Sequence, residues 1–172
     1  MTNSMREIRI GKITLNIGAG KDQSKLDKGV KLIKNMTGIE PVKTVTSKRV
    51  PEWGLRPGLP IGCKLTLRGE EYNDLLKRLI EGKDNILRES NFDNAGNISF
   101  GISEYIDIPG VAYDPEIGVM GLQICVTLER PGFRIKKRRI KAKKIPKTQS
   151  ITREDAIKFM KDNFQIKLSE EE

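Results

Sequence analysis

Residues 48–69 read KRVPEWGLRPGLPIGCKLTLRG, and two kinds of structure meet inside them. The first half is loop, rich in proline and glycine. It holds the chain's only tryptophan, Trp53, among the cations Lys48, Arg49 and Arg56. The second half is a strand with two unlike faces. Ile61, Cys63, Leu65 and Leu67 alternate with Gly62, Lys64, Thr66 and Arg68. Side chains on a strand alternate at period 2, so this one has an apolar back and a cationic, hydrogen-bonding front. A sheet built from such strands has one face for a core and one face for something polar.

Working outward, the same pattern recurs. Ile13, Leu15 and Ile17 alternate with Lys12, Thr14 and Asn16 before Gly18 and Gly20 end the strand. A helix is expected over Ser24 to Thr37, with Leu26, Val30, Ile33 and Met36 or Thr37 on one face and Gly38 as its stop. PVKTVT reads as a second strand. EEYNDLLKRLIEG reads as a helix with a stripe of Tyr72, Leu75, Leu76 and Leu79. Asp84 to Ser90 is expected to form a short further turn. GNISFGI and GLQICVTLE are strands by alternation, and residues 104–118 between them are loop. TREDAIKFMKDNF is a helix capped by Thr152, with Ala156, Ile157, Met160 and Phe164 facing inward. The chain ends in an acidic tuft, SEEE. The expected class is α+β: a single domain, with a mostly antiparallel sheet, helices packed on one face and the other face uncovered. Residues 1–132 form the core, and 133–172 hold a basic segment and a C-terminal helix packed on or beside it.

Composition narrows the function. The 172 residues carry 32 Lys and Arg against 23 Asp and Glu, a net charge of +9. Such a surplus favours polyanions. No apolar run approaches the roughly 20 residues of a spanning helix, so no membrane partner is expected. There is no histidine, which removes the commonest general base and metal ligand. Cys63 and Cys125 are too few for a thiolate cluster, and are expected to be reduced, buried thiols of a cytoplasmic protein. No enzymatic constellation, metal site or cofactor emerges. Paired carboxylates fall at helix starts or in the tail, and Asp114 and Glu116 sit in a loop with no histidine nearby.

GAGKDQSK misses the phosphate-loop template, since no earlier glycine stands at the required offset and Asp22 follows the lysine. A tight strand-to-helix turn is the simpler reading, with backbone N–H groups available to an RNA phosphate. The strongest charge signal is Phe133 to Lys147, with nine basic residues and no acidic one. Arg134, Lys136, Lys137, Arg138, Arg139, Lys141, Lys143 and Lys144 form its body. A cluster of this size binds phosphates by counterion release but reads no sequence. No DNA-binding motif is present, and an exposed polar sheet beside an aromatic loop suits folded RNA. Two roles stand open for Trp53: stacking on a base or ribose, or anchoring the loop in the core. A free-standing RNA chaperone or regulator is the alternative reading of the same features.

KITLNIGAG, PIGCKLTLRG, GNISFGISEY and RPGFRIKKRR occur in the order and spacing of a universal ribosomal protein family. The chain resembles large-subunit ribosomal protein five, the L-five family, called protein eleven in eukaryotic cytoplasmic ribosomes. The resemblance runs from about Arg6 to Phe164, and the basic segment with its terminal helix is similar to the archaeal and eukaryotic branch. It implies a structural constituent of the large subunit that binds 5S rRNA and anchors it to large-subunit rRNA in the central protuberance. It assigns Lys12, Asn16, Lys64, Thr66 and Arg68 to 5S rRNA. It assigns the loop from about Thr46 to Pro60, through Lys48, Arg49, Trp53 and Arg56, to the peptidyl-site tRNA. It also implies neighbours of the L-eighteen and S-thirteen families, the latter across an intersubunit bridge, with the protein a monomer within the ribosome. Bacterial members often carry phenylalanine at the position of Trp53, and a glutamine of the family is replaced here by Ile39.

Overall fold

The computed structural model describes residues 3–169, so the acidic tuft at 170–172 lies outside the described residues. The strand read from the opening stretch is β3, Pro60–Leu67, which starts and ends one residue earlier than expected: Arg68 stands just past its end. Its neighbours are β1 (Arg9–Gly18), β2 (Val42–Val45), β5 (Asn97–Ile102) and β6 (Leu122–Glu129). They form a five-stranded sheet in the order β2-β3-β1-β6-β5. Every pairing in it is antiparallel.

In β1, β3, β5 and β6 the apolar half of the alternation is buried on one side, while β2 has no buried residue. Ile13, Leu15 and Ile17 lie beside Cys63, Leu65 and Leu67 on one flank, and beside Ile124, Val126 and Leu128 on the other. Against this side pack α1 (Gln23–Thr37), α2 (Asn73–Glu81) and α4 (Arg153–Phe164), in one continuous core. Helix α1 starts where Asp22 accepts from the Ser24 and Lys25 amides, and stops at Gly38 in the left-handed conformation. Its inward residues are Leu26, Gly29, Leu32 and Ile33. Gly29 lies over Ile17 and Cys63, where the missing side chain lets the helix sit close to the sheet. Helix α2 buries Leu75, Leu76, Leu79 and Ile80, while Tyr72 stands in a 3-10 turn before it. Each fully buried aliphatic side chain contributes about 1.5–3 kcal/mol relative to exposure.

Two elements differ from expectation. Residues 84–90 are not only a turn: β4 (Ile86–Arg88) pairs in parallel with β7 (Lys167–Ser169), and a 3-10 turn follows at Glu89–Asn91. Asp84 and Asn85 both take positive φ, 58° and 59°, which redirects the chain after α2. Cys125 is exposed, and only Cys63 is buried. Cys125 belongs to the polar half of β6's alternation, so its place on the open face follows from its parity. Burial pushes the Cys63 thiol pKa up.

The basic segment is short of regular structure. It holds one brief helix, α3 (Arg134–Lys137), and then an extended return that bonds to it through the Lys143 amide and the Ile135 carbonyl, 3.2 Å. Helix α4 opens with a capping box between Thr152 and Asp155. Asp155 also pairs with Arg130 at 3.1 Å, and Arg130 reaches the Ser150 carbonyl at 3.3 Å. The end of β6 is thereby tied to the start of α4. Among the described residues no helix is long and apolar enough to cross a membrane.

Candidate nucleic-acid interface

Strand register lines the polar halves of the alternation into rows on the uncovered face. One row runs Val42, Lys64, Asn16, Gln123, Gly101 across all five strands. The next runs Thr66, Thr14, Cys125, Ser99, and a third runs Lys12, Thr127, Asn97. Rows two residues apart along antiparallel strands are about 6.8 Å apart, and neighbouring strands about 4.8 Å. Most of these side chains are small, so the face is low and studded with donors, with Lys12 and Lys64 standing above it and Arg68 at its border.

Lys12, Asn16, Lys64 and Thr66 therefore share one surface, as their spacing predicts. Lys12 keeps its place despite a bulge at Gly11 between Ile10 and Lys12. The Asn16 amide nitrogen donates to the Gln123 side-chain oxygen at 2.9 Å. That bond fixes the Asn16 carboxamide and leaves its oxygen as an acceptor. Parity puts Gln123 and Thr14 on the polar side of their strands, but only the register brings them to Asn16 and Thr66. Lys43 has the opposite parity: it stands opposite Cys63 on the helix side and pairs with Asp27 of α1 at 2.9 Å.

The loop between β2 and β3 is held as a folded finger. The ladder continues through Thr46 and Leu59 at 3.0 Å, and the Val50 and Leu55 backbones then exchange two bonds at 3.1 and 3.0 Å. A 3-10 turn at Pro51–Trp53 and a left-handed Gly54 form the tip. Leu55, 8 % exposed, is the anchor, and Trp53 is 69 % exposed. Trp53 is therefore not buried in the core: its side chain is exposed, and Lys48, Arg49 and Arg56 of the same loop are exposed too.

The strand-to-helix turn at residues 18–22 does not offer what its glycines suggest. The Ala19 and Gly20 amides both donate to the Ile61 carbonyl, at 2.9 and 3.0 Å. The Asp22 carboxylate takes the first helix donors, in the position a phosphate would need. The expectation of free backbone donors there is corrected. Asp114 and Glu116 are likewise structural, because both pair with Lys31 of α1. The Lys31 hydrogen bond holds the Asp114 pKa below the usual carboxylate range. Among the described residues no group of three or more histidine, cysteine or acidic side chains is placed to hold a metal.

In the basic segment, Lys137 pairs with Glu129 at 2.9 Å, and Lys136 and Lys137 stand over the Phe133 ring at 5.5 and 4.8 Å. Arg134, Arg138, Arg139, Lys141, Lys143 and Lys144 are exposed and make no ion pair among the described residues. Charge alone marks these positions in the sequence, and the fold sets them beside the β6 end of the open face.

A one-sided antiparallel sheet, with a low polar front, an outward aromatic finger and an exposed cationic strap, defines an α+β protein suited to a large polyanion. Comparison with known families agrees with that class. Residues 3–56 match the family model for ribosomal protein L5, and residues 60–168 match the model for the C-terminus of the same ribosomal family. The chain is 47% identical over 169 residues to the large ribosomal subunit protein uL5 of Nanoarchaeum equitans, covering 98% of this chain and 99% of that one. It is 44% identical over 164 residues to uL5 of Methanosphaera stadtmanae (95% and 98%), and 44% identical over 168 residues to uL5 of Sulfolobus acidocaldarius (98% and 94%). The chain belongs to the ribosomal protein L5 family, a family of structural, non-enzymatic proteins.

Proposed function

We propose that the open sheet face is the 5S rRNA contact of a ribosomal protein, and that the finger and the basic strap meet other RNAs. Family membership makes the chain a structural constituent of the large ribosomal subunit, resident in cytoplasmic ribosomes. The observation that carries the finer reading is the register: Lys12, Asn16, Lys64 and Thr66 meet on one uncovered surface, with Arg68 at its border. The buried back of the sheet fixes their spacing, so several contacts are presented without reorganisation. Lysines and Arg68 neutralise phosphates, while Asn16, Thr66 and Thr14 bond riboses or base edges in the shallow groove of folded RNA.

In this reading the strap, through Arg134, Lys136, Lys137, Arg138, Arg139, Lys141, Lys143 and Lys144, holds large-subunit rRNA. The finger reaches the peptidyl-site tRNA with Trp53 at its tip, backed by Lys48, Arg49 and Arg56. Neighbours of the L-eighteen and S-thirteen families complete the setting, with one copy of this chain per ribosome.

The test is binding to transcribed 5S rRNA across a salt series, for wild type and for the double variant Lys64→Ala, Thr66→Ala. Removing one cation from a phosphate flattens the slope of log K against log salt by roughly 0.7–0.9. The reading predicts that wild type prefers 5S rRNA over a tRNA-sized control and that the double variant has no such preference. Equal binding of both RNAs by both proteins would leave only a polycation.

A further inference from the structure

A cavity of about 860 Å³ opens where the ends of β5 and β6 meet the basic strap. Asn97 and Thr127 of the open face line it, with Asp93 bonded to Asn97, and so do Lys136, Lys143 and Lys144 of the strap. We propose that this cavity receives a single unstacked nucleotide of a bound RNA, base toward Asp93 and Asn97 and phosphates on the lysines. The inference rests on the RNA-binding reading above and adds a site to it.

Three observations support it. The volume lies within the roughly 300–1,000 Å³ range of small-ligand sites, ample for one nucleotide. The inner wall is rigid. The Asp93 amide bonds the Asn97 carbonyl at 2.8 Å, and the Gly96 amide closes the turn on Asp93 at 3.0 Å. Gly96 has φ +75°, and a Cβ there would stand 2.5 Å from the Ile151 Cγ2, so the turn is pressed against the chain leading into α4. The lining also carries charge of both signs, Asp93 against Lys136, Lys143 and Lys144. The Asn97 amide nitrogen donates to Asp93 at 3.1 Å, which spends one of its hydrogens. A second amide hydrogen, the Asn97 oxygen and a carboxylate oxygen remain, the mixed donors and acceptors that read a base edge.

Asp93 repels phosphate, while Lys143 and Lys144 make no ion pair among the described residues, so the phosphates belong on the strap side. Arg130 also lines the cavity but is committed to Asp155 and Ser150, and serves as wall.

The experiment follows backbone amides of the full chain by NMR while titrating either a single-stranded RNA heptanucleotide or inorganic polyphosphate. Polyphosphate carries the charge without bases. Ala95→Leu and Ala142→Leu, at two exposed lining positions, fill the cavity without changing charge or adding a stacking ring. The heptanucleotide is expected to shift residues 93–97 and Thr127, and to bind at least tenfold more weakly to either variant. Polyphosphate should shift only residues 134–144 and bind the variants as it binds wild type. The proposal is overturned if both ligands shift the same residues and both variants bind RNA like wild type, or if neither ligand touches 93–97 while 5S rRNA still perturbs Asn16 and Thr66. Loss of the 5S effect as well would mark failure of the underlying RNA reading.

Discussion

Gly18 and Gly62 face each other across the β1–β3 pair, yet replacing them by alanine is expected to have unlike consequences. A Cβ on Gly18 meets nothing within 4 Å, whereas a Cβ on Gly62 would stand 2.7 Å from the Ile17 carbonyl oxygen and 3.1 Å from the Thr44 hydroxyl. Neither glycine has positive φ, so neither alanine is strained by its own backbone. Both substitutions remove similar freedom from the unfolded chain, a gain of roughly 0.4–1 kcal/mol each. The difference between them therefore isolates the native contact. The Ile17 oxygen is backbone and cannot rotate away, so β3 must move, and overpacking of that kind costs about 1–3 kcal/mol. Gly18→Ala should be neutral or slightly stabilising, with Gly62→Ala below it by about 2 kcal/mol. For a chain of this size that gap is about 4–8 °C in Tm. Urea melts and calorimetry on both variants measure it. Equal stabilities, or Gly18→Ala the weaker, would refute the claim that this strand pair is pinched at Gly62.

The finger offers a paired test of anchor against contact. Leu55→Ala is expected to cost about 2 kcal/mol of stability, the lower end for a buried leucine because its site lies under a loop. Trp53→Ala should change stability by no more than about 0.5 kcal/mol, yet weaken binding to a peptidyl-site tRNA fragment about fivefold or more because stacking is removed. The reverse pattern in melts and titrations would make Trp53 the anchor. Asp114 gives a pH prediction. Its pKa is lower folded than the ordinary 3.8, chiefly through the hydrogen bond from Lys31. The unfolded chain then binds more protons, so this carboxylate contributes stability above pH 3.8 that is lost as pH falls through its folded value. Asp114→Asn should make the acid limb of stability against pH shallower; an unchanged limb in acid titrations of both proteins would count against the pairing.

What the sequence disclosed was the sheet, because β1, β3, β5 and β6 each have one apolar and one polar half, and parity separates core from surface there; β2, with Val42 and Val45 exposed and Lys43 on the helix side, has no such pattern. Lys64 and Thr66 were legible for the same reason as Leu65 and Leu67. At Cys125 two signals compete: a general preference for buried thiols points inward, while its place between Ile124 and Val126 points outward, and parity prevails. The β4–β7 pair was not legible. Strands of three residues, far apart in the chain, have no periodicity to detect, and two successive left-handed residues at Asp84 and Asn85 leave no hydrophobic signature. Gln123 was missed because its partner Asn16 lies in a strand over a hundred residues earlier. The glycine turn misled because composition reveals donors but not that the Ile61 carbonyl already holds them. The cavity at the strap depends on how residues 136–144 return across the end of β6, which charge counting does not specify.

The central claim, that RNA covers the open sheet face, has a reporter already in place. Cys125 stands exposed next to Thr14 in the second row of that face, and Cys63 is buried behind it. An uncharged alkylating reagent should therefore modify one thiol quickly and the other only on unfolding. The decisive measurement is the rate of Cys125 modification with and without saturating 5S rRNA, with a tRNA-sized RNA as control. The account predicts at least a tenfold slowing by 5S rRNA and little by the control. An unchanged Cys125 rate in a protein demonstrably bound to 5S rRNA would contradict it, and would move the contact from the sheet to the strap.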